Sequence, residues 1–475
     1  MVDPKLQNLR GVSRRRFVRW LGAAGAALAV DRSRLLNFAS DSGGVALADG
    51  LCAPTNRSVH IVGGNGSFGW FQLLWPHVEV AQSGNASFAY HSFGVPGVMV
   101  PAAGANHDFY YAPEAPWVTN GVPTRPMTAM MSGANETHTQ TPTTPAVVAS
   151  NASMIATAAS IQRQVPTLLP VLGVGPVNLG AAPGAPSAAN VPSANSMIDL
   201  FNSAASQLIL SKQGDRDLYE TYYKALVGLR EGAKLPTWSR HLDVTKKASH
   251  VLGTNLGGML TPTAGDLATY GLTALAASSA SSEAKAKLDN LGRTLITTAK
   301  AFKLNLSMCV QVALAPGASD NNFSDPHNAF NNMAALSATV TALGTMLNAF
   351  FNELEGAADP NCDGSMIADN LVLTVHGDTP KTPLQASGWP DNTPGNANWV
   401  YAMGAGHLRS GWFGRVKASG AVAGYDPTSG ADVAGKSASE TSTSTGAAVA
   451  YAIAKGDMKK VEDYYSGPEI TGIVV

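Results

Sequence analysis

The stretch "NLVLTVHGDTPKTP", Asn370 to Pro383, joins a run of β-formers to a Pro- and Gly-rich turn and sets a His, an Asp and a Lys at the junction. The apolar run, "NLVLTV" (370–375), shows no polar alternation, so it reads as a strand covered on both faces, the kind found in parallel sheets. Before it stands a long helical run, "NAFNNMAALSATVTALGTMLNAFFNEL" (328–354), and before that a second apolar strand, "LNLSMCVQVAL" (304–314). Strand, helix and strand in that order imply right-handed crossovers and a sheet with helices on both faces. The expected fold class is α/β with a mostly parallel central sheet.

The rest of the chain continues the pattern. "RSVHIVGG" (57–64) reads as a strand ending in a Gly turn. Helices are expected over 147–164, 196–210, 218–235 and 281–302. The Ala/Pro/Gly stretch 180–195 reads as a surface loop, and "GKSASETSTSTG" (435–446) as a loop or helix start. No internal repeat or long linker is visible, which favours one domain over residues 49–475.

The N-terminus specifies a compartment. "SRRRFVRWLGAAGAALAV" places Ser13, Arg14, Arg15, Phe17 and Val18 ahead of eleven apolar residues, Trp20 to Val30. This resembles a twin-arginine export signal, and eleven apolar residues are too few for a spanning helix, which needs roughly 20. The expectation is export through the twin-arginine translocase to the periplasm or cell envelope, with cleavage near Ala48 and no transmembrane helix in the mature chain. Residues 1–48 hold 8 of 32 basic and 3 of 33 acidic residues, so the remainder has 24 against 30, a formal charge of −6. Such a chain offers no basic field for nucleic acid. Of three cysteines, Cys309 in its apolar run reads as an inert core thiol. Cys52 and Cys362, both in turn-rich sequence, either pair or stay free.

Functional groups in open parallel sheets collect at the carboxyl ends of the strands. Asp325 and His327, two apart in "SDPHNAF", can aim an oxygen and a nitrogen at one divalent cation, and His376 with Asp378 repeats the spacing. Asp325 ahead of Pro326 equally suits a helix cap, and Asp378 ahead of Thr-Pro an Asx turn. Thr137, His138 and Thr139 lie in "SGANETHTQTPTTP" (132–145), a hydroxyl-rich loop suited to holding an anion ahead of a helix. "DPNCDG" (359–364) has the opening spacing of a calcium loop but no later Glu to complete it, so it reads as a turn.

Taken in order, these features resemble the exported proteins of domain-of-unknown-function family 1501, within the alkaline-phosphatase-like superfamily. Gly63, Gly64 and Asn65 match that family's first turn, His138 its His-bearing loop, and Asp325 and His327 its Asp-x-His element. Asp378, Lys381, Thr382 and Pro383 fall on the Glu, Arg, Thr and Pro of its strand-end motif. "YAMGAGHLRSGWFGRV" (401–416) is similar to its closing strands. The chain departs where the family carries Asp, here Gly66, and where it carries Arg-Asp-His-Trp, here Asn396, Ala397, Asn398 and Trp399.

The resemblance implies a site for phosphoryl or sulfuryl transfer in which a Thr of "THTQT" attacks a small anionic ester. Asp325, His327, His376 and Asp378 would hold a cation. The departures reduce two cations to at most one, zinc, calcium or magnesium. They leave two functions in play, a metal-dependent phosphoric or sulfuric ester hydrolase and a catalytically silent partner of the cell envelope.

Overall fold

The computed structural model describes residues 52–77, 98–100, 109–119, 122–134, 146–163, 165, 167–201, 256–314, 323–391 and 393–475. The export signal and cleavage region, the Thr137–Thr139 loop and the run 218–235 lie outside these residues.

A mixed, mostly parallel sheet of eight strands organises the described chain. In chain order they are β1 (Arg57–Gly63), β2 (Thr128–Ala134), β3 (Leu169–Val174), β4 (Ala189–Val191), β5 (Ser307–Leu314), β6 (Leu371–Gly377), β7 (Ala397–Gly404) and β8 (Gly411–Phe413). Their spatial order is β4-β3-β5-β1-β6-β7-β2-β8. β4, β3, β5, β1 and β6 pair in parallel, whereas β7 runs antiparallel to both of its neighbours. The principal helices are α1 (Gly69–Leu74), α2 (Met154–Gln162), α3 (Ala194–Phe201), α4 (Ser282–Lys303), α5 (Met333–Glu355) and α6 (Ala438–Ile453). The α/β expectation therefore stands, with β5, α5 and β6 in the order read from the sequence.

Helix ends follow local chemistry. The run read as a helix over 147–164 begins instead as a short strand pair, Val147–Ala149 with Ala152–Ser153. Val147 and Val148 favour extended backbone. Ser153 then stops the strand by accepting from the Ala156 amide, so helix begins only at Met154. At 435–446 the helix-start reading holds, because Ser437 and Glu440 form a reciprocal capping box. By length and composition Met333–Glu355 is apolar enough to cross a membrane, yet over half of that segment is buried inside the protein.

The central strands are buried on both faces, but the faces differ. Val59, Ile61, Val310, Val312, Leu373 and Val375 lie on the face where Arg57 stacks over Phe302 of α4. The opposite face carries Ser58, His60, Gln311, Thr374 and His376, all fully buried. There Ser58 reaches Gln162 of α2 at 3.2 Å. Cys309 on this face is a buried free thiol whose pKa burial pushes up to about 12, as an inert core residue requires. Cys52 and Cys362 are joined as a disulfide. "DPNCDG" is a turn: Asp359 binds Arg57 at 2.6 Å and accepts from Asn370 at 3.0 Å, leaving no loop of calcium ligands.

Candidate functional site

Three segments converge near the carboxyl ends of β1 and β6. β1 ends at Gly63, and the following turn holds Asn65 and Gly66 at positive φ, 57° and 85°. Ser67 fixes that turn by donating to the Gly64 carbonyl at 2.6 Å and the Leu314 carbonyl at 3.1 Å. The segment carrying Asp325 and His327 follows β5, and the loop that follows β6 carries Lys381 and Asp391.

At the centre stands the Lys381 ammonium. Its side chain is fully enclosed, while those of Asp325 and Asp391 are 18% exposed and His327 34%. Lys381 Nζ donates to Asp325 Oδ1 and to Asp391 Oδ1, the latter at 2.6 Å, and lies 3.3 Å from His327 Nε2. His327 Nδ1 faces the Gly388 carbonyl at 3.1 Å. A carbonyl can only accept, so Nδ1 carries a proton, and Nε2 lies 3.3 Å from Asp325 Oδ1 and 3.3 Å from Asp391 Oδ2 as well as beside the ammonium. The ammonium thus meets two carboxylates and one imidazole nitrogen.

The rest of the loop holds Lys381 in place. Its amide donates to Gln72 Oε1 at 2.9 Å. Its stem passes so close to Gly69 that a Cβ there would lie 2.9 Å from Lys381 Cγ. Gly66 borders the cluster as well: a Cβ at that residue would come within 3.0 Å of Asp325 Oδ1 and 3.2 Å of Lys381 Nζ. A side chain longer than hydrogen at Gly66 would therefore enter the space the ammonium fills.

The structure brings together only part of the expected set. Asp325 and His327 meet, and their third partner is Asp391, the three ligand atoms lying within 4.8 Å of one another. Such an Asp-His-Asp group can hold a metal ion. His376 and Asp378 do not belong to it. β6 runs two residues beyond the apolar stretch, so His376 is inside the strand and faces the buried layer beside His60, with ring centroids 6.4 Å apart. Burial, and then the neighbouring His60, hold its pKa well below the usual imidazole range. Asp378 is also fully buried, its amide bonded to the Gly63 carbonyl at 3.2 Å. Asn398 ties the same corner by donating to the Gly377 carbonyl at 2.7 Å. Asp325 is not a helix cap: the α5 N-cap is Asn332, which accepts from the Ala335 amide at 3.1 Å. Thr137, His138 and Thr139 lie outside the described residues.

The cluster defines the chain as an α/β protein with a carboxylate–lysine–imidazole centre beside the strand ends. Comparison with protein-family profiles, curated proteins and solved structures finds no match to this chain.

Proposed function

We propose that this is an exported protein of alkaline-phosphatase-like descent in which the Lys381 ammonium takes the place of a metal ion, and that it acts in the cell envelope as a binding or structural protein without ester turnover. The observation that carries the reading is the enclosed Lys381 Nζ, bonded to both carboxylates and facing the imidazole of the group that could otherwise ligate a cation. An ammonium neutralises carboxylates as a cation does, but it has no open coordination position. It cannot take up a substrate oxygen or lower the pKa of a bound water. The resemblance expects an acidic ligand where Gly66 stands, and any side chain there would meet Lys381 Nζ. Gly66 and Lys381 therefore fit together: a ligand is lost, and the positive charge that the resemblance places as Arg at Lys381 takes the space beside it.

One observation favours a second reading, a metal-dependent phosphoric or sulfuric ester hydrolase. Asp325, His327 and Asp391 lie close enough to hold one divalent cation if the Lys381 side chain withdraws. Their mixed nitrogen and oxygen donors suit zinc better than calcium or magnesium. In that reading a Thr of 137–139 supplies the attacking hydroxyl.

Metal analysis of the purified protein, with assays on aryl phosphate and aryl sulfate before and after added zinc, calcium or magnesium, separates the two. The expected result is substoichiometric metal and no turnover above background under any condition. A stoichiometric ion together with hydrolysis that disappears in Asp325→Asn overturns the proposal in favour of the enzyme.

A further inference from the structure

The polar face of the sheet carries a second group of buried polar side chains, apart from the Lys381 cluster. Strands buried on both sides are ordinarily apolar throughout. Here every second residue of β1, β5 and β6 on one face tends to be polar or small: Ser58 and His60, Cys309 and Gln311, Thr374 and His376. The helices over this face, α2 ("MIATAASIQ") and α6 ("ASETSTSTGAAVAYAI"), are themselves made of Ala, Gly, Ser and Thr far more than of large apolar residues.

Part of the layer is fully paired, and the pairing has a direction. Gln162 Nε2 donates to the carbonyls of Asn56 at 2.7 Å and Met308 at 3.2 Å, which leaves its Oε1 to accept from Ser58 Oγ at 3.2 Å. Ser58 Oγ, having given its proton away, accepts from His60 Nε2 at 3.0 Å. His60 Nδ1 is then the acceptor for the Thr374 hydroxyl at 2.6 Å. His60 is thereby a neutral imidazole with both nitrogens in use.

On either side of His60 the chain of bonds stops. Gln311, its register partner on β5, has neither its amide nitrogen nor its oxygen bonded to any protein group. His376, one rung further along β6, has both ring nitrogens in the same condition. Both side chains are fully buried. A buried polar group that stays unbonded forfeits its hydration without compensation, and native interiors very rarely tolerate several together.

We infer that the layer between the sheet and the helices α2 and α6 is a hydrated interior site, in which ordered water molecules bond Gln311 and His376 and continue the hydrogen-bond chain through His60. The ligand is water because the orphaned atoms are of both kinds, donors and acceptors, with no charged side chain among them. An ion would find no counter-charge on α2, which has no Asp, Glu, Lys or Arg, or on the buried part of α6, whose one such residue, Glu440, is exposed and bonded to Ser437. Buried waters with two to four such partners are conserved parts of structures rather than trapped solvent.

The test is a crystal structure at a resolution that shows ordered solvent, paired with NMR detection of water–protein cross-relaxation at the Gln311 side-chain amide. Both use the full exported chain. Expected are water peaks within hydrogen-bond distance of Gln311 and His376, and long-lived cross-peaks at that amide. Gln311→Leu should then lower the melting temperature, since it removes the partners that hold the water. A dry layer with no cross-peaks, or a Gln311→Leu variant that melts higher because an orphaned amide has been replaced by an apolar group, overturns the inference. If Gln311→Leu does not fold, the wild-type density and cross-peaks decide. The outcome is independent of metal content and of ester hydrolysis.

Discussion

At the scale of single residues, Lys381 holds the site. Lysine is rarely fully buried unless paired, and here both carboxylates lie within its reach. Replacing one partner of a buried ion pair costs about 3–5 kcal/mol, because the remaining charges lose their counter-ion. Lys381→Met keeps most of the stem and leaves Asp325 and Asp391 facing each other. It should destabilise the protein by about that amount in urea denaturation; a loss below about 1 kcal/mol would show that the ammonium is not the element that neutralises the cluster. Asp325 and His327 were legible in the sequence because the two-residue spacing after a strand is a local signal. Asp391 was not, because it meets Lys381 only once the Pro- and Gly-rich loop between them has folded back, as in the bond from the Thr382 amide to the Pro390 carbonyl at 2.8 Å. His376 was assigned to the site because the apolar run stops one residue before it. The strand does not stop there: hydrogen bonding continues to Gly377 and turns the ring inward.

At the scale of the element, the two faces of the sheet give distinct expectations. Burial pushes His60 down to about 3, and holds His376 well below the ordinary range with a further contribution from His60. Both folded values lie below the unfolded value near 6.5, so as pH falls the unfolded chain binds protons first. Their contribution is complete above about pH 6.5 and is lost progressively as pH falls toward the folded values, at up to about 1.4 kcal/mol per pH unit for each ring. Denaturation at pH 7, 5.5 and 4 should therefore show a falling stability whose slope is shallower in His376→Phe; equal slopes would mean that His376 is not a neutral buried ring. On the other side of β7, Trp399 is fully buried, edge-on to Trp412 with ring centroids 4.8 Å apart. Trp399→Ala should cost about 3–5 kcal/mol by leaving a cavity, measurable by the same denaturation. The sequence made the strands and their order legible through apolar runs, but not the chemical difference between the faces. In "RSVHIVG" and "SMCVQVAL" the polar residues are too few and too small to register as alternation, and they count only when three strands place them side by side.

At the scale of the whole molecule, the disulfide ties the first described residues to the turn before β6. Cys52 and Cys362 are separated by 310 residues, and the Ala53 amide donates to the Asn361 carbonyl at 2.7 Å beside the bond. A cross-link closing so long a loop restricts the unfolded chain by on the order of 5 kcal/mol in the entropy account. Such a bond persists in an oxidising compartment and not among cytosolic thiols. This links it to the expected export route, because the Arg14–Arg15 pair is the feature a twin-arginine translocase reads. Changing both to Lys should leave the chain in the cytoplasm, with Cys52 and Cys362 both open to thiol alkylation after denaturation and a midpoint in urea lower than that of the exported form. The exported form should show a single alkylatable thiol, Cys309, and reducing agent should lower its midpoint to that of the retained chain. Normal export of the double variant would remove the argument for the compartment. Three reactive thiols in the exported protein would show instead that the two cysteines do not pair there, and the stability assigned to the cross-link would have to come from the Arg57–Asp359 pair and its neighbours alone.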